Sequence, residues 1–239
     1  MRMLLMIALL PLAACQSNWE KKGEAVQASG TGASRSFAAN GFTGVELRGP
    51  DDVDVKAGQN FAVTAEGDPK VLDKLDIRVV DGTLRVGRKD SKEQWFGNDH
   101  GARVHVVMPK LISAAVKGSG NLTAQRGEGD FDGAIAGSGN LTVADLRANA
   151  AELSIAGSGD LSVAGTASKL SASIAGSGDI DAKRLTAASA DVSIAGSGNV
   201  LGTVKGPASV SIVGSGDAEL GGGAKCSVNA VGSGEAHCS

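Results

Sequence analysis

Tyrosine is absent from this chain of 239 residues, tryptophan occurs twice and phenylalanine five times. Aromatics at 3% deny it the large flat side chains that usually dominate a core and that floor sugar-binding grooves. Proline is scarce at five, and glycine follows no three-residue period, which excludes a collagen helix. No apolar run approaches the ~20 residues of a membrane-spanning helix. The 23 basic and 26 acidic residues leave a net charge of −3, so the basic surface that phosphate neutralisation needs is missing and nucleic acid is not expected as a partner. The three histidines, His100, His105 and His237, show no H-x-x-x-H or H-E-x-x-H spacing, and no metal or cofactor is assigned. Neither a phosphate-loop Lys-Ser/Thr nor a G-x-S-x-G elbow occurs, so no catalytic residue is assigned either. Glycine, by contrast, is abundant at 35 residues, about twice its ordinary share of ~7%. With 42% apolar and 21% charged residues the composition is that of a folded protein with an aliphatic core.

Residues 1–14 read as a secretory signal: Arg2, an apolar stretch from Leu4 to Leu10, then small residues. Leu12-Ala13-Ala14-Cys15 resembles the bacterial lipobox, which implies that the Cys15 thiol carries diacylglycerol and that the mature chain begins there. The competing reading is a plain signal peptide with an incidental cysteine. Buried acyl chains, at ~0.8 kcal/mol per CH₂, would hold the protein on a membrane without a spanning helix. Gln16 stands where similar lipoproteins of the inner membrane carry Asp, which points to the outer membrane, in a periplasmic or surface-facing position. Residues 15–36 are polar and rich in Gly, Ser and Ala, and are expected to form a flexible tether.

The remainder, 37–239, is organised by a repeat. Gly-Ser-Gly recurs at Gly118 and Gly120, Gly137 and Gly139, Gly157 and Gly159, Gly176 and Gly178, Gly196 and Gly198, Gly214 and Gly216, and Gly232 and Gly234, at spacings of 18 to 20 residues. Two positions before each first glycine stand Val116, Ile135, Ile155, Ile174, Ile194, Ile212 and Ala230; four positions after it stand Leu122, Leu141, Leu161, Ile180, Val200, Ala218 and Ala236. Small or polar residues alternate with them, a period of two that marks strands. The expected fold is all-β, a right-handed parallel β-helix of about 19 residues per coil, its hand following the rule for parallel crossovers. Each coil places a strand on either side of the Gly-Ser-Gly corner and turns again at a second, variable corner. Successive coils stack in parallel register, with Ile155 between Ile135 and Ile174.

Glycine at both ends of the triplet allows positive φ twice, and Asn121, Asn140, Asp160, Asp179, Asn199 and Asp217 follow, residues whose side chains close turns onto nearby backbone. Stacked at ~4.8 Å the asparagines could form a ladder, at the cost of repulsion where Asp160 meets Asp179. Cys226 and Cys238 lie six residues before and after Gly232, with the parity of the inward columns. Both should point into the last coil, where a disulfide would stand in for missing packing; free thiols or a metal pair with His237 are the alternatives.

Residues 37–115 lack the triplet but show alternating segments at 44–47, 53–56, 61–65, 77–80, 83–86 and 104–107, all expected as strands that extend or cap the solenoid. Asp68-Pro69 looks like an N-cap and first helical position for a short helix. Residues 89–101, which include Trp95 and Phe96, are expected as a long loop. Phe42-Thr43-Gly44-Val45, Gly67-Asp68, Gly82-Thr83-Leu84 and Met108-Pro109-Lys110-Leu111, followed by the Gly-Ser-Gly-Asn/Asp series, resemble the bacterial family described as a putative autotransporter adhesin, head GIN domain. The resemblance implies export and a β-helical surface protein, with no catalytic residue to carry over.

The expectation is therefore a non-enzymatic, lipid-anchored envelope protein whose rigid β-helix binds a surface polymer or protein. The alternatives are a polysaccharide-active β-helix using Asp160 and Asp179, or a purely structural lipoprotein.

Overall fold

A computed structural model describes residues 23–89 and 101–239. The signal segment, Cys15, and Trp95, Phe96 and His100 lie outside the described residues.

The strands follow the expected alternation. In the first half they are β1 (Ala28–Ser29), β2 (Ser34–Phe37), β3 (Gly44–Gly49), β4 (Asp52–Ala57), β5 (Ala62–Glu66), β6 (Leu75–Val80), β7 (Thr83–Arg88) and β8 (Arg103–Met108). The repeat half comprises β9 (Ser113–Gly118), β10 (Asn121–Ala124), β11 (Gly127–Gly137), β12 (Asn140–Gly157), β13 (Leu161–Gly176), β14 (Ile180–Gly196), β15 (Val200–Val204), β16 (Pro207–Gly214), β17 (Ala218–Gly221), β18 (Lys225–Gly232) and β19 (Ala236–Cys238). Among the described residues there is one short helix, α1 (Pro69–Leu72), which starts where Asp68 Oδ1 accepts the Lys70 N–H at 2.8 Å, with Pro69 in the first turn and Val71 and Leu72 buried.

The repeat coils stack as a parallel β-solenoid. Ile135 pairs with Ile155 and Ile155 with Ile174, all at 2% exposure or less, and the second column runs through Leu141, Leu161 and Ile180 in the same way. Full burial of such side chains contributes ~1.5–3 kcal/mol each before conformational entropy is set against it. Phe131, the one aromatic of this half, stacks on Ala151 and is accommodated because Gly127 and Gly133 leave its ring edges uncrowded. The expected second corner breaks the strands between β10 and β11, between β15 and β16 and between β17 and β18. In the three coils between, the expectation is corrected: β12, β13 and β14 run straight through it, and register shifts between Val143 and Leu146 and between Ser162 and Ala164 absorb the variable length. Bulges bend a strand without ending its pairing.

The first half supplies two more parallel levels, in an order that is not the chain order. β3 and β4 lie directly beneath β9 and β10, with Gly49 opposite Gly118, Leu47 opposite Val116 and Val53 opposite Leu122. β7 and β8 lie beneath β3 and β4. Antiparallel strands then close this end: β6 on β7, β5 on β8, β2 on β5 and β1 on β2. Phe42 and Phe61 pack there with ring centroids 4.8 Å apart. The tether expected over 15–36 is corrected at its C-terminal end. Ala25 bridges Arg78, Ala28 and Ser29 pair with Phe37 and Ser36, and β2 docks on β5, so backbone pairing recruits residues that carry no apolar period.

Candidate functional site

The Gly-Ser-Gly-Asx corners stack into one ridge along the solenoid. Both glycines of a triplet are demanded by close approach to the coil beneath, a Cβ on Gly176 overlapping the Gly157 carbonyl oxygen, and the first is demanded by its backbone conformation as well, which corrects the expectation of two positive φ angles. The first glycine alone is left-handed, with φ between 126° and 143° from Gly118 to Gly232. The second is required by close approach: a Cβ on Gly178 would overlap the Gly159 carbonyl oxygen and stand 3.1 Å from Ile155 Cγ2, and Gly159, Gly198, Gly216 and Gly234 meet the same pair of groups one coil down. Each triplet serine N–H donates to the first-glycine carbonyl of the coil beneath, as Ser177 does to Gly157 at 2.9 Å.

The Asn/Asp column bonds between coils rather than within its own turn. Asp52 Oδ1 accepts from Asn121 Nδ2 at 2.9 Å, and Asn121 Oδ1 from Asn140 Nδ2 at 2.9 Å. Asn140 Oδ1 accepts the Asp160 N–H at 3.1 Å, Asp160 Oδ1 the Asp179 N–H at 3.3 Å, and Asp179 Oδ1 both the N–H and Nδ2 of Asn199, at 2.7 and 2.9 Å. Asn199 and Asp217 continue the series to the Glu235 N–H. Only an acceptor oxygen is needed at each level, which explains why Asn and Asp interchange. The Asp160 and Asp179 carboxylates are thus each already engaged by a backbone donor.

An outer face of small side chains runs beside the ridge. Before the corner, Ala136, Ala156, Ala175, Ala195, Val213 and Val231 form an exposed column in register, beside Ser173, Ser193, Ser211 and Asn229. Toward the N-terminal end this face becomes charged. Glu46, nearly buried, is held by Lys117 Nζ at 2.7 Å, by Arg48 Nε and by Arg85 Nε at 3.5 Å. Burial by itself would raise the Glu46 pKa, but the hydrogen bonds from Lys117 and Arg48 outweigh it and hold the carboxyl below its ordinary value. Further along, Asp132 stacks beside Glu152, and desolvation followed by the neighbouring negative charge raises its pKa.

At the corner of the β3–β4 level, Asp51 is fully buried. It accepts from Arg88 Nε at 2.8 Å, Arg88 Nη2 at 2.6 Å and the Ala102 N–H at 2.8 Å. Sequence reasoning missed Glu46 and Asp51. A signal was present, because Gly49-Pro50-Asp51-Asp52 aligns with Gly118-Ser119-Gly120-Asn121, with Leu47 and Val53 in the two inward columns.

His105 Nδ1 lies 3.5 Å from Asp54 and His237 Nε2 lies 3.2 Å from Glu235, at opposite ends of the stack. Among the described residues no group of three or more His, Cys, Asp or Glu is placed to hold a metal ion. Cys226 and Cys238 form a disulfide across the last coil, with Cα atoms 6.3 Å apart, above Ala208 and Leu220 of the inward columns. Closing a loop of this separation contributes about 3 kcal/mol in the chain-entropy account.

Stacked parallel coils, a buried aliphatic interior and a hydrogen-bonded corner ridge define a β-solenoid scaffold protein. The chain belongs to the family described as "Putative auto-transporter adhesin, head GIN domain", which matches residues 41–224. A "putative adhesin" from Bacteroides fragilis is similar in fold, with a TM-score of 0.78 and 19% identity over 86% of this chain and 96% of that one. A "putative adhesin" from Parabacteroides merdae gives 0.69 and 20% over 87% and 95%. A "putative lipid binding protein" from Parabacteroides distasonis gives 0.67 and 22% over 86% and 96%. No curated protein matches the chain.

Proposed function

We infer that this is a lipid-anchored protein of the bacterial cell envelope, tethered through Cys15 in the outer membrane, whose solenoid binds an envelope polymer or a surface protein without catalysing a reaction. The observation that carries the reading is the outer face before the corner. Ala156, Ala175, Ala195 and Val213, with Ser173, Ser193 and Ser211, present exposed small side chains in register over successive coils. Small side chains at the ~4.8 Å coil spacing give a flat surface that an extended partner can approach along its length, and the corner ridge keeps the spacing rigid. Membership of an adhesin-like family supports the same reading. No helix among the described residues is long and apolar enough to cross a membrane; the lipid anchor is proposed from Leu12-Ala13-Ala14-Cys15.

The test has two arms. Cys15→Ser should move the protein from the membrane fraction to the soluble one or leave the signal uncleaved; a mutant that remains in membranes with the same lipid-modified mass overturns the anchor. Ala175→Arg with Ala195→Arg should abolish retention of the purified protein on isolated bacterial envelopes while leaving its melting temperature unchanged. Unchanged retention refutes the face. If Asp160→Asn with Asp179→Asn instead removed a measurable polysaccharide-cleaving activity, the enzymatic reading would replace this one.

A further inference from the structure

The two ends of the solenoid are finished differently. At the N-terminal end the antiparallel strands β1, β2, β5 and β6 and the helix α1 cover the first parallel level. Among the described residues nothing covers the last one: β18 pairs with β16 alone and β19 with β17 alone, so each offers an outer edge. The inward columns show the consequence. Val210, Ile212, Ala218 and Leu220 are at most 1% exposed, whereas Val228, one coil later, is 48% exposed, and Ala230 is exposed too. The exposed large apolar side chains of the described structure are Val213, Val228 and Val231, all in the last two coils. The edge also lacks the usual protection. β18 reads Lys-Cys-Ser-Val-Asn-Ala-Val-Gly, with one charge at its start, no proline and an unbroken register on β16. Edge strands and terminal repeats of soluble proteins are ordinarily blunted by charge, proline, bulges or a polar cap.

We propose that this end is a homodimerisation surface, on which β18 and β19 pair antiparallel with the same strands of a second copy about a twofold axis perpendicular to the solenoid. Residues directly opposite in an antiparallel pair point to the same face. A register centred on Val228 therefore sets Val228 against its own counterpart and Cys226 against the second copy's Ala230, inward side chain on inward side chain. Lys225 then faces Val231, so no like charges of β18 meet. The twofold preserves both sheets at once, and the two interiors become one continuous core. A single foreign strand would cover β18 or β19 and leave the other half of the coil open, whereas an identical coil covers both.

The size is sufficient for a specific but modest contact. Eight residues of β18 span ~26 Å, and a two-sheet coil with its outer side chains is ~20 Å across, so the joint buries ~500 Å² per copy and ~1,000 Å² in total. That sits at the lower bound for specific association, and a concentration-dependent dimer follows rather than a permanent one. The inference stands independently of the adhesion reading, because it rests on the end of the rod and not on its flat face.

The test is light scattering and sedimentation of the purified full chain, kept in mild detergent over a wide concentration range, with amide hydrogen exchange at low and high concentration. A monomer–dimer equilibrium is expected, with the amides of Cys226, Val228 and Ala230, whose N–H groups face the free edge, gaining protection as concentration rises. Val228→Lys should weaken the dimer at least ~100-fold, since it places two cations in the joint without a partner. Its melting temperature should stay unchanged, because Val228 is half exposed in the single chain. Ala230→Pro, at a position whose backbone N–H faces the free edge because Lys225, Ser227, Asn229 and Val231 direct theirs to the coil beneath, should also weaken pairing and checks the result with an uncharged side chain. A chain that stays monomeric at the highest concentration, a dimer that survives Val228→Lys, or a different polypeptide found on β18 overturns the proposal.

Discussion

Replacing Asp179 in two ways separates the structural role of the corner ridge from any role of its charge. Asp179 Oδ1 accepts two bonds from the next coil, the Asn199 N–H at 2.7 Å and Asn199 Nδ2 at 2.9 Å. Asp179→Ala removes both and leaves a half-buried backbone donor without its acceptor, which costs about 1–3 kcal/mol. Asp179→Asn keeps an acceptor oxygen and relieves the charge beside Asp160, so its effect should stay within about 0.5 kcal/mol. Asp217 supplies an internal scale, because its side chain accepts one such bond, from the Glu235 N–H at 2.8 Å. The expected order of destabilisation is Asp179→Ala, then Asp217→Ala, then Asp179→Asn. Denaturant midpoints measure the global part. In a stacked repeat much of the loss is local, so amide exchange at Asn199 is the sharper readout, accelerating about tenfold for each 1.4 kcal/mol. Equal destabilisation by Asn and Ala would show that the charge matters and not the acceptor. A neutral Asp179→Ala would show that the ridge contributes nothing to coil stacking.

Gly178→Ala should cost more than about 4 kcal/mol or prevent folding, since the added methyl overlaps the Gly159 carbonyl and crowds Ile155, while Ser177→Ala on the exposed tip of the same corner should stay within about 0.5 kcal/mol; expression and thermal melts of the pair decide it. Glu46, whose pKa is held below its ordinary 4.5, contributes stability that is fully present above the unfolded value and is lost as pH falls through the depressed one. Melting temperature followed from pH 6 down to pH 3 should therefore show a flatter acid limb in Glu46→Gln than in the parent chain, and parallel curves would remove Glu46 from the acid response.

The amino-acid sequence by itself determined the solenoid, because its period, inward columns and corner glycines are local patterns that recur with every coil. Val116, Ile135, Ile155 and Ile174 could be stacked on paper, and so could Cys226 and Cys238, since parity along a strand decides which side chains face inward. The Asp68 cap and the strand positions of the first half were readable for the same reason. The tertiary structure decided what depends on which strands become neighbours. Nothing local in Thr83–Arg88 says that it pairs with Gly44–Gly49 rather than continuing the stack in chain order, since any alternating strand can offer the same edge to several partners. The Glu46 cluster exists only because that pairing brings Arg85 to one side and the pairing of Gly44–Gly49 with Ser113–Gly118 brings Lys117 to the other. The second glycine of each triplet follows the same logic, being demanded by a carbonyl and an aliphatic side chain of the coil beneath, about 19 residues earlier in the chain, a distance over which local conformational preference carries no information.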